Sequence, residues 1–259
     1  MTYQFYKYQG TGNDFIILDN RQKNIVLTEQ QVNFLCDRKF GIGADGLMLL
    51  QEKVGYDFEM VYYNSDGKLG SMCGNGSRCL TQFAYDRGIK KDHYTFIASD
   101  GDHESKFSNN GWVRVKMIDV NEIQQHQEDF VLNTGSPHYI KIVKNLDDFD
   151  VYTEGKKVRY SEPFHKNGIN VNFIEHLEVG TIKVRTYERG VENETLSCGT
   201  GVTASAIVCF INKSGFNNIQ VQTLGGRLAV EYNKTGISTF DNIWLCGPAT
   251  FVFSGEIHL

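Results

Sequence analysis

Two cysteines in this 259-residue chain carry the same local signature. Cys73 opens Cys73-Gly74-Asn75-Gly76, and Cys198 opens Cys198-Gly199-Thr200-Gly201, 125 residues further on. A peptide cysteine has a pKa of about 8.5, so little of it is thiolate at neutral pH. At a helix N-terminus the unpaired amides and the macrodipole favour the anion. Glycines without a Cβ leave backbone amides open, so a carboxylate seated between two such turns would receive donors from both. Two sulfurs flanking one α-carbon could then invert it. One thiolate removes the α-proton, the opposing thiol returns one to the other face, and the helix termini stabilise the enediolate-like charge. That chemistry calls for neither pyridoxal phosphate nor a metal. A single Cys-Gly turn would read as tight packing; the matched pair reads as a working couple.

The likeness between the two turns extends outward and divides the chain. SRCLTQFAYDRG follows the first and VTASAIVCFINKSG the second, each a helix ending near a glycine. At the same offset TFIASDGD meets QVQTLGGR, aligning Gly101 with Gly226 in strand-turn patterns. Upstream, FEMVYYNSDG matches IKVRTYERGV with a one-residue slip that pairs Asn64 with Glu188. Each half reads strand, Gly-rich turn, Cys, helix, strand, turn, which is the pattern of an internal duplication. YQFYKYQG, NDFIILDN, DGLMLLQE, WVRVKMI, DFVLNTG, HYIKIV, RLAVEY and NIWLCG add short β-rich runs. Thr28-Glu29-Gln30-Gln31 is a capping box opening a further helix, stopped at Gly41, with Val32, Leu35 and Cys36 on its core side. The expected fold is α/β with an α+β-like cast: two pseudo-symmetric domains, the boundary near Asp119 where polar NEIQQHQED follows a strand.

Composition narrows the function. The chain is 41% hydrophobic and 22% charged with net charge −5, an ordered domain without a basic footprint for nucleic acid or a membrane surface. MTYQFYKYQGTGNDF lacks an apolar signal-peptide core and no apolar run nears the ~18 residues of a membrane span, so a cytoplasmic location is expected. Six cysteines in such a chain read as reduced thiols rather than a disulfide framework, with Cys36, Cys79, Cys209 and Cys246 packed as small hydrophobes. Gly41-Ile42-Gly43-Ala44-Asp45-Gly46 matches G-x-G-x-x-G, but it follows a helix and precedes a strand, the reverse of a dinucleotide site. Cys73 and Cys79 have no second Cys or His pair at zinc spacing, so no metal is expected.

Polar residues cluster at strand ends: Asn13 in Gly12-Asn13-Asp14, Asn64 before the first Cys, Glu188-Arg189 before the second, and His138 after Pro137. Amides and a guanidinium suit the ammonium and carboxylate of an amino-acid head.

GTGNDF, MCGNGSRC, TGSPH, GINVNF and YERGVENETLSCGTGVTA together resemble the diaminopimelate epimerase family, over essentially the whole chain. The resemblance implies interconversion of LL- and meso-2,6-diaminopimelate without a cofactor, in lysine and peptidoglycan precursor synthesis. It implies two similar domains, each a sheet wrapped around a central helix with the active site in the cleft between them, spanning 1–118 and 119–247. The segment 248–259 would return to the first domain, and the chain would form a homodimer acting on a small molecule. By the same resemblance Cys73 and Cys198 are the acid–base pair, Cys73 serving the LL substrate and Cys198 the meso form. His138 and Glu188 support the thiols. Asn13, Asn64, Gly74, Asn75, Asn170, Glu188, Arg189, Gly199 and Thr200 bind substrate. Two positions depart from the family pattern: Ser136 stands where many members carry Asn, and Gly46 where some carry Gln, which bears on recognition of the distal end of the substrate. A racemase for another amino acid such as histidine, or a redox sensor built on the cysteine pair, are the competing readings.

Overall fold

The computed structural model describes residues 2–210 and 213–259. The chain divides into two compact units, Met1–Val115 with Gly247–Leu259, and Lys116–Cys246. The first unit runs β1 (Thr2–Gly10), β2 (Asn13–Asp19), α1 (Glu29–Cys36), β3 (Gly46–Gln51), β4 (Phe58–Asn64), α2 (Gly74–Asp86), β5 (His93–Ala98), β6 (Gly101–Phe107) and β7 (Val113–Lys116). The second contains β8 (Gln124–His126), β9 (Asp129–Asn133), β10 (Pro137–Ile142), α3 (Val151–Arg159), β11 (Asn170–Glu178), β12 (Thr181–Glu188), β13 (Asn193–Thr195), α4 (Gly199–Cys209), β14 (Gly215–Thr223), β15 (Gly226–Lys234) and β16 (Phe240–Gly247). β17 (Thr250–His258) returns to the first unit and pairs antiparallel with β1.

The two units repeat one topology. In the first, β17, β1, β2, β3, β4, β5, β6 and β7 follow one another with successive pairings antiparallel, antiparallel, parallel, antiparallel, parallel, antiparallel and antiparallel. In the second, β8, β9, β10, β11, β12, β14, β15 and β16 repeat that sequence of senses. Gly101 and Gly226 begin the return strand of equivalent hairpins, with φ of 123° and 139° that only glycine adopts without strain.

Strand periodicity assigns each helix its face. In the first unit Phe15, Ile17, Met48, Leu50, Phe58 and Met60 pack with Cys79, Leu80 and Phe83 of α2. The alternate residues Ile16, Leu18, Leu47 and Leu49 pack with Val32, Leu35 and Cys36 of α1. That is why NDFIILD and GLMLLQ are apolar at consecutive positions: both of their faces are covered. In the second unit Ile140, Ile174, Ile182 and Val184 meet α4, while Tyr139, Val171, Phe173 and Tyr187 meet Val151 of α3.

α1 is launched as expected, with Thr28 and Gln31 forming a reciprocal capping box and Val32, Leu35 and Cys36 buried. It ends at Cys36 rather than at Gly41, because the Asp37 carboxylate takes the amides of Lys39 and Phe40 and turns the chain. The helical run VTASAIVCFINKSG ends at Cys209 within α4, and its Ile211 and Asn212 lie outside the described residues. α3 has no counterpart in the sequence reading. A mid-helix Gly155 hides its periodicity, and that glycine is required: a Cβ there would stand 2.4 Å from Cβ of Tyr187.

Candidate active site

Cys73 is the N-cap of α2 and Cys198 the N-cap of α4, each with an extended backbone (φ −109°, ψ 121° and φ −109°, ψ 112°). The first helical bonds run from the amide of Ser77 to the Cys73 carbonyl and from that of Val202 to the Cys198 carbonyl. Gly74 and Asn75, and Gly199 and Thr200, are therefore first-turn residues, whose amides point toward the N-terminal end of the helix. The second glycine of each turn serves packing. A Cβ on Gly201 would lie 2.2 Å from Oδ1 of Asn172, and one on Gly76 would lie 3.2 Å from the Met48 sulfur.

In the first unit, Asn13 at the start of β2 reaches the α2 turn. Its Oδ1 accepts from Cys73 Sγ at 3.7 Å and from Asn75 Nδ2 at 3.4 Å, while its Nδ2 donates to Asp45 at 2.7 Å. Asp45 is in turn paired with Arg38, which also grips Asp14, and Asp14 receives the buried Lys7 ammonium at 2.7 Å. Burial opposes the Asp14 charge, but hydrogen bonds from Arg38 and Lys7 outweigh it and hold the carboxyl down at about 2. Asn13 thus stands on a fixed ionic base. Asn64 ends β4 opposite Gly46, exposed, its backbone closing a turn through Lys68 and Gly67. The Tyr62 ring lies against Gly46 and Gly70. A Cβ on Gly46 would meet that ring at 2.5 Å, and one on Gly70 would meet it at 2.6 Å. No side chain fits at position 46; Tyr62 already fills the space.

In the second unit, Sγ of Cys198, which is 8% exposed, lies 3.5 Å from Oγ1 of Thr200. Nε2 of His138 is 2.8 Å from that same hydroxyl, and its Nδ1 is 3.0 Å from Nδ2 of Asn172. Burial, with the cation of Arg189 as a second cause, pushes the His138 imidazole down to about 3, so it is neutral. Asn170 donates to the Ser136 hydroxyl at 2.9 Å and accepts from the Arg189 amide at 2.9 Å. The Arg189 guanidinium reaches the same hydroxyl at 3.3 Å. Serine, shorter than asparagine, still ties these two residues together. Glu188 accepts from Thr195 at 2.8 Å.

Each unit therefore gathers its own share of the expected residues. Cys73, Gly74, Asn75 and Asn13 form one cluster, with Asn64 on the neighbouring strand end. Cys198, Gly199, Thr200 and His138 form another, beside the Asn170–Ser136–Arg189 group. Asp45, Tyr62, Asn172 and Thr186 were not singled out from sequence. Alternation could have found Asn172, since GINVNF puts it on the same strand face as Asn170, a polar pair among the buried residues at the start of β11. The thiols of Cys36, Cys79 and Cys209 are pushed up to about 12 by burial, which removes them from acid–base work near neutrality.

The architecture has relatives among solved structures. A PhzF-family phenazine biosynthesis protein from Bacillus anthracis superposes with a TM-score of 0.79 at 16% identity, covering 100% of both chains. A hydroxyproline epimerase from Agrobacterium vitis gives 0.66 at 12% identity, covering 99% of this chain and 92% of the other. The two-unit sheet-and-helix fold of those proteins is thus the class to which this chain's fold conforms. Sequence likeness goes further. The family model for diaminopimelate epimerase matches residues 5–123 and 130–252. The diaminopimelate epimerase of Flavobacterium psychrophilum is 49% identical over 98% of this chain and 100% of its own length. That of Chlorobaculum tepidum is 42% identical over 96% and 99%. The chain belongs to the diaminopimelate epimerase family.

Proposed function

We propose that this chain interconverts LL- and meso-2,6-diaminopimelate, with Cys73 and Cys198 as the acid–base pair and no cofactor. Membership of the family over nearly the full chain carries this reading. The repeated cysteine-capped helices support its mechanism. In the LL direction the Cys73 thiolate takes the α-proton, forming an S–H bond as the Cα–H bond breaks. The electron pair moves into the carboxylate as an enediolate, which first-turn amides of Gly74, Asn75, Gly199 and Thr200 stabilise. The Cys198 thiol then delivers its proton to the opposite face and is left as thiolate. Asn64, Asn170, Glu188 and Arg189 hold the amino-acid heads, while His138 and Glu188 support the thiols. In this reading 1–118 with 248–259 and 119–247 are the two epimerase domains, and the enzyme works in the cytoplasm as a homodimer. Phe251, Val252 and Phe253, all exposed on β17, support self-association.

Dialysed protein given LL-diaminopimelate should yield the meso isomer without any addition. Turnover of histidine with none of diaminopimelate would move the assignment to a racemase of another amino acid.

A further inference from the structure

The two units, alike in topology, differ in the layer of side chains beneath their cysteine turns. Strand register makes the comparison residue by residue. Phe15 pairs with Gly46 and Gly46 with Asn64, as His138 pairs with Asn170; Asn172 pairs with Thr186 and Met48 with Tyr62. The positions held by Phe15, Met48 and Tyr62 in the first unit are therefore held by His138, Asn172 and Thr186 in the second. Beneath Cys73 the layer is aromatic and thioether, with the Phe15 and Tyr62 rings edge to face at 6.1 Å. Beneath Cys198 it is a buried polar chain.

The hydrogen bonds of that chain have only one consistent direction. Nδ2 of Asn172 lies 3.2 Å from the carbonyl oxygen of Tyr139, which can only accept, so the amide cannot be flipped. Its Oδ1 accepts from the Thr186 hydroxyl at 2.9 Å, in agreement. The second proton on Nδ2 then faces Nδ1 of His138, which must be the unprotonated nitrogen. A neutral imidazole with Nδ1 bare carries its proton on Nε2 and donates it to Oγ1 of Thr200. Having accepted there, the Thr200 hydroxyl has its own proton to give, and Cys198 Sγ is 3.5 Å away.

We propose that Asn172 is a positioning residue for Cys198: by holding His138 as the Nε2–H tautomer, it keeps the imidazole from taking the Thr200 hydroxyl proton, which is left to be donated to the Cys198 sulfur and so favours the thiolate. The inference rests on Cys198 being a working thiol, as in the proposed function, and not on which amino acid is the substrate. Cys73 is wired in the opposite sense, since it donates to Oδ1 of Asn13. Among the described residues, His138 at the start of β10 and Glu188 and Arg189 at the end of β12 are the charged or titratable groups at those strand ends. Asp129, Glu175 and Arg185 on β9, β11 and β12 are engaged with Tyr139, with the amides of Asn145 and Leu146, and with Glu194.

The test is the pH midpoint of iodoacetamide labelling at Cys198, read by peptide mass spectrometry on the folded full chain, which needs no substrate. Thr200→Val should raise that midpoint by about one pH unit, the order expected for one lost donor to a thiolate, and leave the Cys73 midpoint where it was. Thr200→Ser should restore it. Asn172→Leu should move it in the same direction as Thr200→Val. In case Asn172→Leu does not fold, nitrogen-15 spectra of histidine-labelled wild-type protein report the His138 tautomer directly, and Nε2–H alone is expected. A His138 protonated on Nδ1, or a Thr200→Val variant with an unmoved Cys198 midpoint, overturns the proposal. If the labelling results hold but diaminopimelate is not turned over, the proposed function fails while this inference stands.

Discussion

Asn13 donates its side-chain nitrogen to Asp45 at 2.7 Å, and this bond determines that its oxygen, not its nitrogen, faces Cys73. The carboxylate of Asp45 has no proton to give, so it acts as an orientation lock on an amide that could otherwise turn over.

Asp45→Asn removes that lock while preserving shape. It should lower kcat/KM by about tenfold or more, the scale on which a misplaced contact registers in catalysis, with little change in Tm because the site is exposed. Steady-state kinetics beside a thermal melt separates the two effects. An unchanged kcat/KM would leave Asp45 as an ion-pair partner of Arg38 and nothing more.

Tyr62 occupies the space that a side chain at position 46 would need. Gly46→Ala places a Cβ 2.5 Å from its ring and 2.7 Å from the carbonyl oxygen of Tyr63. Overpacking of this kind costs about 1–3 kcal/mol. Chemical denaturation of Gly46→Ala should show that loss, and Tyr62→Ala added to it should recover only part, because the backbone oxygen remains. Full recovery, or no loss at all, would mean the strand shifts freely at this point.

The neutral, buried His138 gives stability a pH dependence of definite sign. Unfolded, the imidazole takes a proton near its ordinary value of about 6.5; folded, it does so at about 3. Between those values the unfolded chain binds more protons, so stability is full above about pH 6.5 and is lost as pH falls below it. At pH 5 the loss is about 2 kcal/mol. Tm measured from neutral pH down to pH 5 should fall, and His138→Gln should flatten that fall. A parallel decline in both proteins would assign the acid sensitivity to other groups.

Thiol labelling should divide the cysteines by environment. Cys36 and Cys79 are buried with pKa values pushed up to about 12, and they should stay unlabelled by iodoacetamide in folded protein at mildly alkaline pH. Cys73, half-buried at a helix start, should react. Mass spectrometry of the digested protein reads the pattern, and prompt labelling of Cys79 would contradict the packing described for α2.

Much of the fold was legible because period-2 runs such as FEMVYY and helix starts such as Cys73-Gly74 carry local signals that survive into three dimensions. The duplication makes the two units visible in the sequence, and the chain divides into two compact units. What escaped was tertiary in origin. α3 is shaped by the close approach of Gly155 to Tyr187, a contact no local window contains. Of the candidate site, the two cysteine turns were legible as matched helix starts, and both cysteines are N-caps. Asp45 lies within a glycine motif that is not a dinucleotide site, and Asn172 gains its role only from the side chain of His138 on the adjacent β10. Residues that orient others have no motif of their own; they are found from the partners they hold.

In the proposed mechanism two thiols exchange α-protons on one substrate carbon. The most direct measurement is turnover of LL-diaminopimelate in deuterated water, following deuterium at the α-carbon and formation of the meso isomer in wild type, Cys73→Ala and Cys198→Ala. Wild-type protein should incorporate deuterium as meso product appears, without added cofactor, and each variant should lose epimerisation by about 1,000-fold or more. Undiminished meso formation in both variants would contradict the two-thiol mechanism.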